Sequence, residues 1–241
     1  MLRIANDEVR PRHRGELRVL VAATRPAGLG QARAYLAADL LRRYAERSRL
    51  ASSVVDFAPV SENDLRAVCD SLNIHPPRHT LAEPFAIDQL DGLFYDGLRE
   101  PIFDIGVRLA VQTWARAGET PDGALATSWI DVPPDAEEVK LGEEPLVVRL
   151  NLLGFEGDAA QALNHWRERV AQWSRSPSGA MSRTHTEAIG AAFANGLDVR
   201  SALRVLAELD ADDSVPDGVK FETFAAADRM FGLDLARDIG K

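Results

Sequence analysis

Residues 17–47 read LRVLVAATRPAGLGQARAYLAADLLRRYAER, and this stretch decides the fold class. Leu17 to Ala23 is a short apolar run rich in strand formers. Thr24, Pro26, Gly28 and Gly30 break it, after which Leu36, Leu40, Leu41 and Tyr44 recur at helical spacing. Arg42, Arg43, Arg47 and Arg49 gather at the C-terminal end of that helix, where cations complement the backbone dipole. Ser52 to Phe57 (SSVVDF) reads as a second strand. Strand, helix and strand within so short a span form a βαβ unit, whose right-handed crossover makes the strands parallel. The chain is therefore read as α/β, with a Rossmann-like parallel sheet.

Outward from this unit, Ser61 is placed to cap a helix that Asn73 to Pro77 (NIHPP) stops. A further helical stretch is expected at Ala86 to Leu93, and strands at Pro101 to Arg108 and Ala124 to Val132. Val132-Pro133-Pro134-Asp135 is a stiff turn and marks a domain boundary. Residues 1–134 form the α/β domain and residues 135–241 a helical bundle. Its helices are expected at Pro145 to Leu153, Asp158 to Ser174, Arg183 to Asn195, Arg200 to Asp210 and Phe221 to Phe231. Breaks are expected at Gly154, Ser176 to Gly179, Gly196 and Val215 to Gly218.

With 241 residues, 46% of them hydrophobic, the chain has enough apolar material for packed cores. Its 28 Lys and Arg against 37 Asp and Glu give a formal charge of -9, which disfavours a broad grip on a phosphate backbone, so tRNA is not a favoured partner. No signal-peptide h-region opens the chain and no apolar run is long enough to span a bilayer, which predicts a cytoplasmic protein with no membrane partner. Cys69 is the only cysteine and cannot form an intramolecular disulfide. It shares helical spacing with Leu65, Val68 and Leu72, which makes it a core residue.

The candidate ligand site is the turn at Gly28 to Gly30. Its backbone N–H groups open a helix, which suits a phosphate or carboxylate, although a tight strand-to-helix turn requires glycine in any case. Thr24, Arg25 and Gln31 flank it with a hydroxyl, a guanidinium fork and an amide. Asp56 ends the second strand, where an α/β sheet often places the residue that binds a ribose hydroxyl; a strand-ending aspartate is also a common turn former. His75 and His79 flank two prolines that forbid the helix a histidine pair would need to hold a metal, so no metal site is expected. Nor is there a nucleophile elbow, a Cys/His pair or a Glu-x-x-His. Trp166, Trp173 and Phe193 have core spacing, and Arg167, Arg169, Arg175, Arg183, Arg200 and Arg204 read as a solvated helical face before an RNA contact.

Several segments in order resemble cysteinyl-tRNA synthetase, a class I aminoacyl-tRNA synthetase family. LRIANDEVRPRHRGELRVLVAATR (2–25) resembles the family's start, and GLGQARAYLAADLLRRY (28–44) its signature loop and following helix. LNIHPPRHT (72–80), PIFDIGVR (101–108), LRVLAEL (203–209) and FAAADRMFGLDLARDIG (224–240) resemble later segments. The resemblance implies a class I synthetase fold and a nucleotide crevice, but the departures are chemical. Gly28 stands where the family has a phosphate-contacting histidine, and glycine offers no charge to a transferring group. Ala22 stands at the place of the first zinc cysteine, so zinc is not expected. The region holding the other zinc ligands is missing between Arg108 and Glu144, and VKLGEE before Pro145 offers only Lys140 where the family has a lysine-rich loop. The expectation is a paralogue that does not adenylate cysteine and binds a nucleotide such as ATP, or a small metabolite, as an accessory protein. The alternative is an enzyme with repurposed chemistry on an aminoacyl, nucleotide or aminoacyl-tRNA substrate.

Overall fold

A computed structural model describes residues 2–4, 7–11, 15–22, 29–56, 62–77, 79–80, 103–109, 126–132 and 144–241. Contacts divide the chain into two compact units, Met1–Asp70 with Ile74–Glu137, and Ser71–Asn73 with Glu138–Lys241. The turn holding Thr24, Arg25 and Gly28, the helix expected at Ala86 to Leu93 and the Pro133-Pro134 turn lie outside the described residues.

In the first unit, Arg3–Ile4 (β1) and Asp7–Glu8 (β2) pair antiparallel ahead of Glu16–Ala22 (β3). The helix Leu29–Arg47 (α1) leads to Ala51–Asp56 (β4), the helix Glu62–Ser71 (α2) and the two-residue strand His79–Thr80 (β5). Phe103–Leu109 (β6) and Ala126–Val132 (β7) complete the sheet. Its order is β5-β4-β3-β6-β7 and every neighbouring pair is parallel. The protein is thus α/β with a parallel sheet. The central strand β3 is buried on both faces from Val19 to Ala22, which accounts for its continuous apolar run. Strand β7, at the end of that order, is buried only at Ala126 and Val132 and has Thr127 and Asp131 exposed.

Helix α1 covers β3, β4 and β6. Leu36, Leu40 and Leu41 lie in its buried face as their spacing predicts, while Tyr44 is half-buried. The helix stops with Arg49 in the left-handed region (φ 58°) and Leu50 N–H donating to Ala45 O at 2.9 Å. The same device ends α2, with Asn73 at φ 53° and Ile74 N–H donating to Cys69 O at 2.8 Å. Where β6 begins, Asp104 Oδ2 accepts the Arg18 N–H at 2.9 Å, just before the ladder opens at Val19 and Ile105.

The second unit contains the helices Pro145–Leu152 (α3), Ala159–Trp173 (α4), Arg183–Ala194 (α5), Val199–Ala211 (α6) and Asp217–Phe231 (α7). Asp158 and Asp198 cap α4 and α6, accepting from Gln161 N–H and Ser201 N–H at 2.9 and 3.0 Å. Trp166, Trp173 and Phe224 meet edge to face in the core, and Phe193 packs on Phe231. Helix α7 starts at Asp217, four residues ahead of the expected Phe221, so the break expected at Val215 to Gly218 is corrected. Pro216 sets the turn before the helix, and Gly218 lies inside it because a Cβ there would come 1.9 Å from Pro177 O. At its far end Gly232 takes φ 67°, while the Asp228 carboxylate accepts Leu233 N–H at 2.7 Å and Leu235 N–H at 2.9 Å.

Among the described residues of this unit, Arg149, Arg167 and Lys220 are enclosed. Arg149 donates from Nε to Phe231 O at 2.6 Å and from Nη1 to Leu72 O and Asn73 O at 2.8 and 3.0 Å. Arg167 donates to Glu144 Oε1 at 2.8 Å and to Leu233 O at 3.2 Å. Lys220 Nζ reaches Asp210 O at 2.8 Å. Each satisfies main-chain carbonyls at or just beyond a helix C-terminus. No helix among the described residues is long and apolar enough to cross a membrane.

Candidate ligand crevice

Strand β3 lies in the middle of the sheet. The chain continues from it toward β4 and β5 on one side and later returns to β6 and β7 on the other, so the order reverses between β3 and β6. Parallel strands leave a crevice outside their carboxyl ends at such a reversal, because the loops there run in opposite directions. Ala22 closes β3 at this point, paired with Arg108 of β6. Seven residues on, α1 opens at Leu29 with no acidic residue in its first turn, so nothing in that turn neutralises the positive end of its dipole.

Of the candidate residues, Gly30 and Gln31 belong to the first turn of α1, and the Gln31 side chain lies outside the described residues, as do Thr24, Arg25 and Gly28. Asp56 ends β4 fully buried, and its Oδ2 accepts the Tyr35 hydroxyl at 2.7 Å. Tyr35 comes from the second turn of α1. Burial, then the Asp56 charge beside it, pushes the Tyr35 hydroxyl far above its ordinary value of 10.0.

One turn further along α1, buried Asp39 accepts from Arg43 Nε at 2.8 Å and from the His75 backbone N–H at 3.2 Å, with His75 Nδ1 2.8 Å from Oδ1. His75 is therefore engaged by a carboxylate, and the His79 side chain lies outside the described residues. Among the described residues no group of three or more His, Cys, Asp or Glu is arranged to hold a metal. Cys69 is buried, as its helical spacing predicts, and burial pushes its thiol from 9.0 up to about 12, with Asp39, Asp70 and Asp56 adding to the rise. It carries no thiolate at neutral pH.

The sequence reading passes over a second group on β6 and β7. Arg108 Nε donates to Asp131 Oδ1 at 2.6 Å, and its guanidinium lies 5.1 Å from the centre of the Trp129 ring. The indole in turn lies over Gly106, where a Cβ would come within 2.4 Å of the ring. A lone glycine in a strand marks such a close approach and was the available signal. That Arg108 stands beside the end of β3 depends on strand order, which one sequence does not carry.

The scattered arginines of the second unit divide. Arg167 is enclosed and bound to Glu144, so it belongs neither to a solvated face nor to a nucleic-acid contact, which corrects its grouping with the others. Arg169, Arg183 and Arg200 pair with Asp210, Glu187 and Glu156. His165 Nε2 lies 2.7 Å from Asp210 Oδ2. No known family model and no curated protein matches this chain.

Proposed function

We propose that the first unit is a Rossmann-like domain of class I synthetase type, followed by a helical bundle, and that its crevice binds a nucleotide or small anionic metabolite. The observation that carries this is the reversal of strand order between β3 and β6, with the amino end of α1 following β3. In this reading Gly28 and Gly30 let the main chain approach an anion and Thr24, Arg25 and Gln31 add polar contacts, while Asp56, expected as the ribose-side residue, is buried against Tyr35 and instead holds α1 to the end of β4. The chain is a cysteinyl-tRNA synthetase-like paralogue, acting as a binding or accessory protein and not adenylating cysteine, because Gly28 and Ala22 replace the histidine and cysteine that the resemblance calls for.

Thermal unfolding in the presence of ATP tests the binding. A ligand at 100 times its dissociation constant adds about 2.7 kcal/mol, and Arg25→Ala should remove most of that gain. No stabilisation by ATP, pyrophosphate or cysteine would overturn the reading. Cysteine-dependent exchange of pyrophosphate into ATP would overturn the loss of adenylation.

A further inference from the structure

A cavity of about 420 Å³ lies in the first unit at the amino end of β3, the opposite end of that strand from the crevice. Leu2, Val9, Pro11, Leu17 and Leu50 make its walls apolar. They come from the flanks of the β1–β2 hairpin, the start of β3 and the turn after α1. Tyr44, from the last turn of α1, and Ser48, just after it, add hydroxyl groups, and Arg10 adds a guanidinium. Small-molecule sites typically measure about 300–1,000 Å³ and combine this kind of apolar wall with a few polar groups.

Among the described residues that line the cavity, Arg10 is the one that carries a charge. Arg10 is exposed and pairs with Glu8 across 3.0 Å of open surface, a contact weak enough to exchange for another carboxylate. Ser48 is flanked in the chain by Arg47 and Arg49, both exposed and neither ion-paired to a described residue. A protein of net charge -9 thus lines an apolar cavity with an arginine.

We propose that this cavity binds an amphipathic monocarboxylate, with its hydrocarbon tail against Leu2, Val9, Leu17 and Leu50 and its carboxylate toward Arg10. At roughly 30 Å³ for each heavy atom with its hydrogens, the share of a water in the liquid, an eight-carbon carboxylate takes about 300 Å³ and fits within the space. The site is separate from the crevice and does not depend on what the crevice holds.

Thermal unfolding of the full chain with octanoate, 1-octanol or octylamine, at equal concentrations below micelle formation, tests the proposal. Octanoate gives a saturable rise in Tm, octanol a smaller one and octylamine none. Arg10→Gln weakens octanoate by roughly threefold to tenfold and leaves octanol unchanged. Leu50→Trp fills the cavity and removes both shifts; if it lowers the ligand-free Tm too far, Ser48→Trp closes the mouth from an exposed position with the same expectation. Equal shifts from octanoate and octanol, an octanoate shift that survives the tryptophan, or no shift at all overturns the proposal. So does a dimer seen by light scattering that Leu50→Trp dissociates and octanoate does not, because the cavity is then filled by a second copy of the chain.

Discussion

The Tyr35 hydroxyl donates to Asp56 Oδ2 at 2.7 Å, tying the second turn of α1 to the last residue of β4 inside the first unit. Both residues are buried, so the bond is shielded from competing water. Tyr35→Phe leaves a buried carboxylate oxygen without this donor. It should cost about 1–3 kcal/mol in urea unfolding at neutral pH, while Tyr44→Phe, at a half-buried position on the same helix, changes little.

Tyr35 and Cys69 also set an alkaline limit. Both have raised values in the folded state, so above the unfolded-state value of about 9–10 the unfolded chain loses protons that the folded chain keeps. Their contribution is fully present below that pH and is lost as pH rises, for Cys69 toward about 12. Melting temperature should therefore fall from about pH 9 upward, and Cys69→Ala should flatten the decline between about pH 9 and 12. An identical slope in wild type and variant would show that the thiol does not contribute.

Gly106→Ala should cost about 1–3 kcal/mol, because the new methyl group displaces the Trp129 ring from β6. In a Trp129→Leu background the same change should be nearly neutral, and denaturation of the four proteins of this double-mutant cycle measures the coupling.

Gly218→Ala meets a carbonyl oxygen, not a side chain, at 1.9 Å from Pro177 O, so α7 or the Pro177 turn must shift as a whole. A loss larger than that of Gly106→Ala is expected in the same denaturation assay. Gly190→Ala, in the open on α5, should stabilise by up to about 1 kcal/mol.

Arg149→Leu should destabilise by roughly 3–5 kcal/mol, since it strands the carbonyls of Phe231, Leu72 and Asn73 inside the second unit. Arg149→Lys should recover only part, because a single ammonium does not reproduce the guanidinium fork. Full recovery with lysine would mean that charge alone matters there.

Much of the local structure was legible in order along the chain. The apolar run at Leu17 and the helical spacing of Leu36, Leu40 and Leu41 give strand and helix because each rests on contacts within a few residues. Asp158, Asp198 and Gly232 punctuate helices for equally local reasons. Gly218 misled for the opposite reason: its role is a packing contact with Pro177, forty-one residues earlier in the chain. Arg167 reads as part of a solvated face, since nothing near it in sequence, or near Arg149, announces that distant helix ends will supply carbonyls to bury them.

The sequence by itself determined the first βαβ unit with its parallel sense, the strands β6 and β7 and the helices of the second unit, because periodicity, turn chemistry and crossover handedness act over short stretches of chain. The two-residue strands β1, β2 and β5 are too short to carry a period. Only the tertiary structure decided that β3 lies between β4 and β6, that Arg108 stands beside Ala22, and that Asp56 turns its carboxylate to Tyr35. It also decided which arginines are enclosed. Those outcomes depend on long-range pairing and on the cost of burying unmatched polar groups, and neither is written in any one segment.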